Sequence, residues 1–191
     1  MPAGWQAATL FASTATTIQV SEVASRLIVI EPITLQNLAL FKEVRLCALQ
    51  EAPYAFGSTY ARESAFTDSE WTARLDRWNG VRGAGFIAVD GGSPCGLAGI
   101  LLDEKSPERA DLVSMWTSPS HRQTGVGRQL VNQVLEWAGA RNVSTLLLMV
   151  TSNNAGAIRF YEKLDFARTG RTEPYPNDPA VLEYEMSRPI P

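Results

Sequence analysis

The residues with the clearest chemical potential form a basic turn with two glycines, Arg122-Gln-Thr-Gly-Val-Gly127. An apolar segment, Leu112–Thr117, precedes the turn, and apolar residues recur at helical spacing in the segment Val126–Ala140 that follows it. A turn from a strand into a helix presents free backbone N–H groups at one point, and such groups bind phosphate. Glycine lets the main chain approach a bulky anion because it has no Cβ. The spacing therefore predicts a phosphate-binding loop, with a plain connecting turn as the alternative.

Two other phosphate-binding patterns fit this segment less well. A Walker loop needs Gly-Lys followed by Ser or Thr, which this site lacks. A dinucleotide fingerprint needs a third glycine where the chain has Leu130, and an acidic ribose ligand about 20 residues later that the sequence does not offer.

A second motif lies at a suitable distance downstream. The apolar segment Leu146–Val150 leads into Asn153-Asn-Ala-Gly-Ala-Ile-Arg-Phe-Tyr161-Glu-Lys-Leu-Asp-Phe166. Together with the Arg-x-x-Gly-x-Gly turn, this stretch resembles the two cofactor motifs of the GCN5-related N-acetyltransferases (GNAT). The resemblance extends from about Leu27 to Met186 and is strongest from Asp111 to Phe166.

The resemblance implies an α/β (α+β) fold of the GNAT type. Its mixed, mostly antiparallel central sheet would have six to seven strands flanked by four helices, in the order β-α-α-β-β-β-α-β-α-β. The chain pattern fits this order, with a turn-rich connection at Ala52–Tyr60, a long polar loop at Thr172–Pro179 and a closing strand at Val181–Met186. In that strand Leu182, Tyr184 and Met186 would share one face.

The resemblance also implies acetyl-coenzyme A (acetyl-CoA) as co-substrate. Charged hydrogen bonds contribute about 1.5–3 kcal/mol each, against about 0.3–1 kcal/mol for a helix dipole, so the oriented loop amides should dominate binding of its phosphates. The main chain of Met115, Trp116 and Thr117 would pair with the pantetheine arm like an added strand. The other cofactor-binding positions are Arg122, Gln123, Thr124, Gly125, Val126, Gly127, Arg128, Asn154, Ala157 and Tyr161.

Acyl transfer to an amine requires a base, because a lysine-like amine of pKa ~10.4 is protonated at pH 7, at a cost of about 4.6 kcal/mol. Asp111 stands where many relatives carry a glutamate, and Glu63 and Glu31 are alternative bases. Tyr161 matches the tyrosine that this family often uses to protonate the leaving thiolate. The catalytic residues implied are therefore Tyr161 and Asp111, with Asp111 acting through a water relay.

The acceptor is expected to be a primary amine of a small molecule or a peptide. Three elements should frame its pocket, namely the segments Glu51–Ser64 and Glu173–Pro179 and the helix that starts at Thr67 or Asp68. A non-catalytic sensor or interaction module that binds acyl-CoA on the same fold is the alternative function. A homodimer is suggested by the resemblance alone.

Composition limits the remaining possibilities. A length of 191 residues with 45% hydrophobic residues indicates one domain with a substantial core, which we assign to residues 26–191, with residues 1–25 as an N-terminal extension, either an arm or a flexible tail. A net charge of −3 argues against a nucleic-acid partner, and no apolar run is long enough for a membrane span. Two cysteines and one histidine, His121, which we expect to be exposed, argue against a metal site and favour the cytoplasm.

Overall fold

A computed structural model describes residues 27–191, and the predicted N-terminal extension lies outside them. The described strands are β1 (Ile28–Pro32), β2 (Gly83–Asp90), β3 (Ser93–Leu102), β4 (Arg109–Thr117), β5 (Thr145–Thr151), β6 (Ala167–Tyr175) and β7 (Asp178–Pro189). The helices are α1 (Leu38–Glu51), α2 (Tyr60–Ser64), α3 (Asp68–Arg74), α4 (Val126–Gly139) and α5 (Ala155–Glu162). The strands form one sheet in the order β1-β2-β3-β4-β5-β7-β6, which confirms the predicted fold class.

The one parallel pair of this sheet, β4 with β5, is joined over a short distance. Its register runs from Arg109↔Thr145 to Asp111↔Leu147 and then stops, whereas β5 pairs with β7 along its whole length. Beyond Asp111 the two parallel strands therefore separate, and the edge of β4 that faces β5 has backbone groups without a strand partner.

A bulge in β4 lies beside this separation. Ser114 and Met115 stand opposite the single residue Ala98 of β3, and Ser114 has a left-handed φ of 56°. An extra residue shifts the alternation of side chains between the two faces of a strand. Leu112 packs with α4 and α5, whereas Trp116 packs with α1 on the opposite face.

Apolar side chains cover the two faces of the sheet unequally. On one face, α4 and α5 pack against residues of β2 to β5 and β7. On the other face, α1 and α3 pack against β2, β3 and β4, and this cluster includes no residue of β5, β6 or β7. Within the described residues, the half of this second face formed by β5, β7 and β6 therefore has no apolar cluster packed on it, and polar side chains can occupy it.

Two segments differ from expectation. A short helix, α2, begins at the last residue of the predicted turn-rich connection and is capped by Thr59. The sequence did not indicate it, because five residues are too few to show helical periodicity. The predicted polar loop Thr172–Pro179 is wrong, because its first half is the end of β6. This edge strand is exposed at nearly every position and so shows no alternation, and Pro174 is compatible with an edge.

Candidate active site

A cavity of about 490 Å³ opens where β4 and β5 separate. Residues of both strands, of α5, of β6 and β7 and of the connection after α1 line it together. The lining includes five of the predicted site residues, Asp111, Met115, Asn154, Ala157 and Tyr161. Residues far apart in sequence thus meet at the point where the sheet is open.

Tyr161 reaches the cavity from the α5 side of the sheet. It is 7% exposed and packs edge-on against Phe166. Its hydroxyl has no hydrogen-bond partner among residues 27–191. Burial raises the pKa of Tyr161 far above its ordinary value, so the phenol keeps its proton at neutral pH. A proton donor is therefore available at the cavity wall.

Asp111 reaches the same cavity from the other face, since its neighbours Ala110 and Leu112 point into the α4 side. Although the carboxylate is open to solvent, partial loss of hydration next to the protein raises its pKa. The negative charges of Asp103 and Glu185 raise the pKa further, and the positive charges of Arg109 and Arg171 offset part of this rise. A raised pKa makes a carboxylate a better base.

The two alternative bases are positioned unfavourably. Glu63 is fully buried and bonds Arg45 Nη2 at 2.8 Å and Arg74 Nη2 at 2.9 Å. Burial raises the pKa of Glu63, but the hydrogen bond and charge of Arg45 and the charge of Arg74 outweigh burial and leave the pKa below its ordinary value. Glu31 lies in β1 at the edge of the sheet, where it pairs with Ile87 of β2. It is not among the residues that line the cavity.

The end of β4 carries the three residues expected to contact a pantetheine arm. Met115 lines the cavity. Trp116 is buried, and its Nε1 donates to Glu51 Oε2 at 2.9 Å. The carbonyl oxygen of Thr117 accepts a bond from Arg122 Nε at 3.2 Å. Sequence reasoning missed Glu51, which lies 65 positions before Trp116 and shows no motif.

The predicted phosphate loop leads directly into α4. Gly125 is the N-cap residue with φ of 98°, and no side chain caps the helix. A left-handed φ favours glycine, and the first N–H groups of a helix have no partner within it. Exposed Gln123 also has a positive φ, and Thr124 Oγ1 bonds the carbonyl oxygen of His121 at 2.7 Å. The loop thus has the open N–H groups that the sequence predicts.

The second glycine of the loop also serves a purpose that the sequence analysis did not foresee. A Cβ on Gly127 would lie 3.1 Å from the ring of Phe160 and 3.4 Å from Met115. Gly127 therefore permits α4 to pack closely against α5 and β4, and Val126 beside it is buried.

The two arginines of the loop differ in their surroundings. Arg122 Nη2 lies 2.5 Å from Glu51 Oε2, so this guanidinium contacts α1. Arg128 is exposed in the first turn of α4 and forms no ion pair with any described residue. At the start of α5, Asn154 Oδ1 accepts the N–H of Ala157 at 3.1 Å, so Asn154 caps this helix while it lines the cavity.

His121 is half-buried, whereas the sequence suggested an exposed loop residue. Its Nε2 lies 3.1 Å from Asp90 Oδ2, and its Nδ1 lies 2.8 Å from Ser118 Oγ. These contacts connect the loop to the end of β2.

Two of the three elements expected to frame the acceptor pocket contribute to the cavity wall, whereas the third, α3, lies outside the lining. Tyr54 to Gly57 line the cavity, and Tyr175 Oη donates to the carbonyl oxygen of Phe56 at 2.8 Å. The same wall carries Glu173, the first residue of a predicted segment, and three charged side chains that the sequence analysis did not assign, namely Arg171, Glu183 and Glu185. The alternation of Leu182, Tyr184 and Met186 already placed the two β7 glutamates on the opposite face, and this was the available signal.

Comparison with known proteins gives a consistent result. The model of the acetyltransferase (GNAT) family matches residues 45–166, more than half of the chain. The chain is 36% identical over 67 residues to the ribosomal protein bS18-alanine N-acetyltransferase of Escherichia coli strain K12, covering 35% of this chain and 42% of that protein. The chain spans less than half the length of the curated relatives it matches first.

Solved structures resemble the fold over most of the chain. A GNAT-family acetyltransferase from Streptococcus pneumoniae superposes with a TM-score of 0.72 at 20% identity, covering 86% of this chain and all of the other. A Salmonella typhimurium protein solved with its cofactor acetyl-CoA superposes with a TM-score of 0.69 at 17% identity, covering 86% and 95%. Both likenesses concern the fold.

Two other kinds of feature are absent from the part of the chain that the structure describes. Residues 27–191 contain no group of three or more His, Cys, Asp and Glu side chains that could hold a metal ion. None of the helices in this range is long and apolar enough to cross a membrane.

Proposed function

Because the chain belongs to the acetyltransferase (GNAT) family, we propose that it transfers the acetyl group of acetyl-CoA to a primary amine of a small molecule or peptide. The observation that carries this proposal is that Tyr161 and Asp111 line one cavity from opposite faces of the sheet, at the point where β4 and β5 separate. One side chain keeps a proton and the other has an increased affinity for one.

The residues present fit acetyl-CoA. The N–H groups at the start of α4 suit its diphosphate, because Gly125 leaves open space where a side chain would stand. The unpaired edge of β4 from Leu112 to Thr117 suits an extended amide-containing arm. When bound, the thioester supplies an activated acyl carbon. The Salmonella relative that holds acetyl-CoA supports the same choice.

The chain's own residues then have two proton tasks. Asp111, directly or through a water, accepts a proton from the acceptor's ammonium group, which frees the lone pair that forms the new N–C bond. Tyr161 donates its proton to the sulfur as the C–S bond breaks, and the second proton that the attacking nitrogen loses passes through water to the resulting tyrosinate. A thiol of pKa ~8.5 leaves fairly easily, so the second task contributes less than the first.

The test uses the full-length chain, acetyl-CoA and a panel of primary amines, with free thiol followed over time and acetylated amine identified by mass. We expect thiol release that depends on the amine, and a fall in kcat of about 100-fold in Tyr161→Phe. Tyr60→Phe, at an exposed tyrosine of α2, is the control and should retain full activity. Tight acetyl-CoA binding without turnover on any amine would instead support a non-catalytic acyl-CoA sensor.

A further inference from the structure

The acceptor wall of the cavity carries a surplus of negative charge. Its ionisable lining residues other than Tyr54 and Tyr161 are four carboxylates, Asp111, Glu173, Glu183 and Glu185, and one guanidinium, Arg171. Three negative charges are therefore left uncompensated in a concave site.

The single cation is fully engaged by two of these carboxylates. Arg171 Nη1 bonds Glu185 Oε2 at 2.9 Å, and its Nη2 bonds Glu173. Glu185 also accepts a bond from Thr169 Oγ1 at 2.8 Å. Among residues 27–191, neither Asp111 nor Glu183 has a hydrogen bond or an ion pair.

The two unpartnered carboxylates lie at different ends of the wall. Asp111 pairs with Leu147 at the closed end of the β4–β5 opening, and Glu183 pairs with Thr151 at its open end. Two strand spacings of ~4.8 Å and about four residues of rise put their Cα atoms on the order of 15 Å apart. One ammonium group cannot neutralise both.

The surroundings of Glu183 favour an organic cation over a metal ion. Burial raises the pKa of Glu183, and the charge of Glu173 adds to this effect, so its ionised form lacks a stabilising partner. No metal-ligating group occurs among the described residues. Tyr161, almost buried and without a partner, lines the same cavity and independently indicates that a ligand completes it.

Hydrogen bonds close one side of the cavity above Glu183. Thr151 Oγ1 donates to the carbonyl oxygen of Tyr54 at 3.3 Å, and Tyr175 Oη donates to that of Pro53 at 2.9 Å. The connection after α1 is thus held against β5 and β6. Such a covered wall suits a small, elongated molecule better than a polypeptide.

We propose that the acceptor is a small, elongated polyamine, whose reacting amine lies beside Asp111 and Tyr161 while a second ammonium group pairs with Glu183. This inference rests on the proposed function and specifies its substrate class. Asp111 removes a proton from the reacting amine, and Glu183 binds the second amine in its protonated form. These two roles explain why the wall carries carboxylates at both ends.

The test measures both binding and turnover. The full-length chain, saturated with coenzyme A, is titrated calorimetrically with spermidine, octylamine, 8-aminooctanoate and 1,3-diaminopropane, and the same amines are assayed for thiol release with acetyl-CoA. We expect spermidine to exceed each of the others by about tenfold in affinity or in kcat/KM. This preference should shrink as salt rises.

Glu183→Gln should remove most of the preference for spermidine over octylamine, whereas Glu43→Gln, at an exposed carboxylate of α1, should leave it intact. Three outcomes would overturn the inference. They are equal affinity and kcat/KM for spermidine and octylamine, an intact preference for spermidine in Glu183→Gln, and a short basic peptide with the same kcat/KM as spermidine. Turnover without a preference for spermidine would contradict the polyamine inference and leave the proposed acetyl transfer standing. A preference for spermidine in binding without any turnover would support the polyamine site and contradict the proposed acetyl transfer.

Discussion

At the residue scale, the site depends on two ionisable groups that burial affects in one direction. Loss of hydration next to the protein disfavours the charged forms of buried Tyr161 and of the more exposed Asp111, and raises both pKa values. For Tyr161 the result is a phenol that stays protonated, and for Asp111 a carboxylate that binds a proton more readily. The same physical effect therefore keeps the proton on the phenol and increases the proton affinity of the carboxylate.

The raised pKa of Asp111 predicts a specific pH profile. We expect kcat/KM to fall as pH falls through the pKa of Asp111, at a pH above 3.8, the ordinary value for aspartate. In Asp111→Asn this limb should vanish, and only the ionisation of the amine should remain. Asp76→Asn, at an exposed aspartate outside the cavity, should keep the wild-type profile. An unchanged limb in Asp111→Asn would assign the base elsewhere.

The same shift has a consequence for stability. Folded Asp111 binds its proton more tightly than unfolded Asp111, so its contribution to stability is greatest below the ordinary pKa and is lost as pH rises through the folded pKa. Asp111→Asn should therefore raise the free energy of unfolding at neutral pH, as measured by urea denaturation.

At the element scale, the start of α4 requires a conformation that side chains resist. Gly125→Ala adds a Cβ in open space at φ of 98°, where an L-residue pays about 1–2 kcal/mol. We expect either a loss of stability of this size or a relaxed loop whose N–H groups no longer converge, with acetyl-CoA affinity reduced about tenfold. Calorimetry and thermal unfolding measure the two effects.

Gly139→Ala is the matched control on the same helix. Its Cβ would also meet open space, but its φ lies outside the left-handed region. This substitution should stabilise the chain or leave it unchanged, because alanine favours a helix by up to about 1 kcal/mol over glycine. Wild-type affinity in both variants would contradict the assignment of the loop.

The three helices on the acceptor side are joined to β4 by a buried ion network. Glu63 of α2 bonds Arg45 of α1 and Arg74 of α3, and Arg45 Nη1 lies 3.4 Å from Ser114 Oγ at the bulge. Ser114, the bulge residue with positive φ, is thus contacted by Arg45, whose charge Glu63 neutralises. The network fixes the helices relative to the strand that lines the cavity.

We predict that Glu63→Gln lowers the free energy of unfolding by about 3–5 kcal/mol, because buried Arg45 and half-buried Arg74 lose their anion. The stabilisation from ionised Glu63 is present above the ordinary pKa of 4.5 and is lost as pH falls through the lower folded pKa. Urea denaturation at several pH values measures both effects. Lys42→Met, which removes an exposed pair with Asp68 at 3.7 Å, should cost only about 0–1 kcal/mol.

At the scale of the whole molecule, two segments far apart in the chain meet beside the cavity. Asn177 Nδ2 and Tyr175 Oη, both from the β6–β7 hairpin, donate to the carbonyl oxygen of Phe56, 121 and 119 positions earlier. Neither segment forms a wall of the cavity alone. The acceptor site is therefore a property of the assembled domain.

Tyr175→Phe should loosen this closure. Loss of the buried hydroxyl leaves the carbonyl oxygens of Pro53 and Phe56 with fewer partners, at a cost of about 1–3 kcal/mol. We expect faster hydrogen exchange at residues 53–57 and a higher KM for the amine, with the KM for acetyl-CoA little changed. If exchange at these residues matches that of Tyr60→Phe, the hairpin does not hold the connection closed.

The sequence alone determined the local features. The motifs that carry the family resemblance are formed by residues close together in the chain. The same holds for the turn before α4 and the capped start of α5, whose conformations depend on local backbone rules. Asp165, after the end of α5, is one example, since its left-handed conformation (φ of 63°) is one that aspartate adopts more readily than most residues.

Only the tertiary structure decided which distant groups share the cavity. The separation of β4 from β5, the engagement of Arg122 by Glu51 and the acidic wall of β6 and β7 join residues from separate segments. The exposed edge strand β6 carries no periodic pattern, so the ion pair of its Arg171 with Glu185 of β7 could not be assigned to the site beforehand. The charge that selects an acceptor therefore arises from strand pairing, which sequence spacing does not encode.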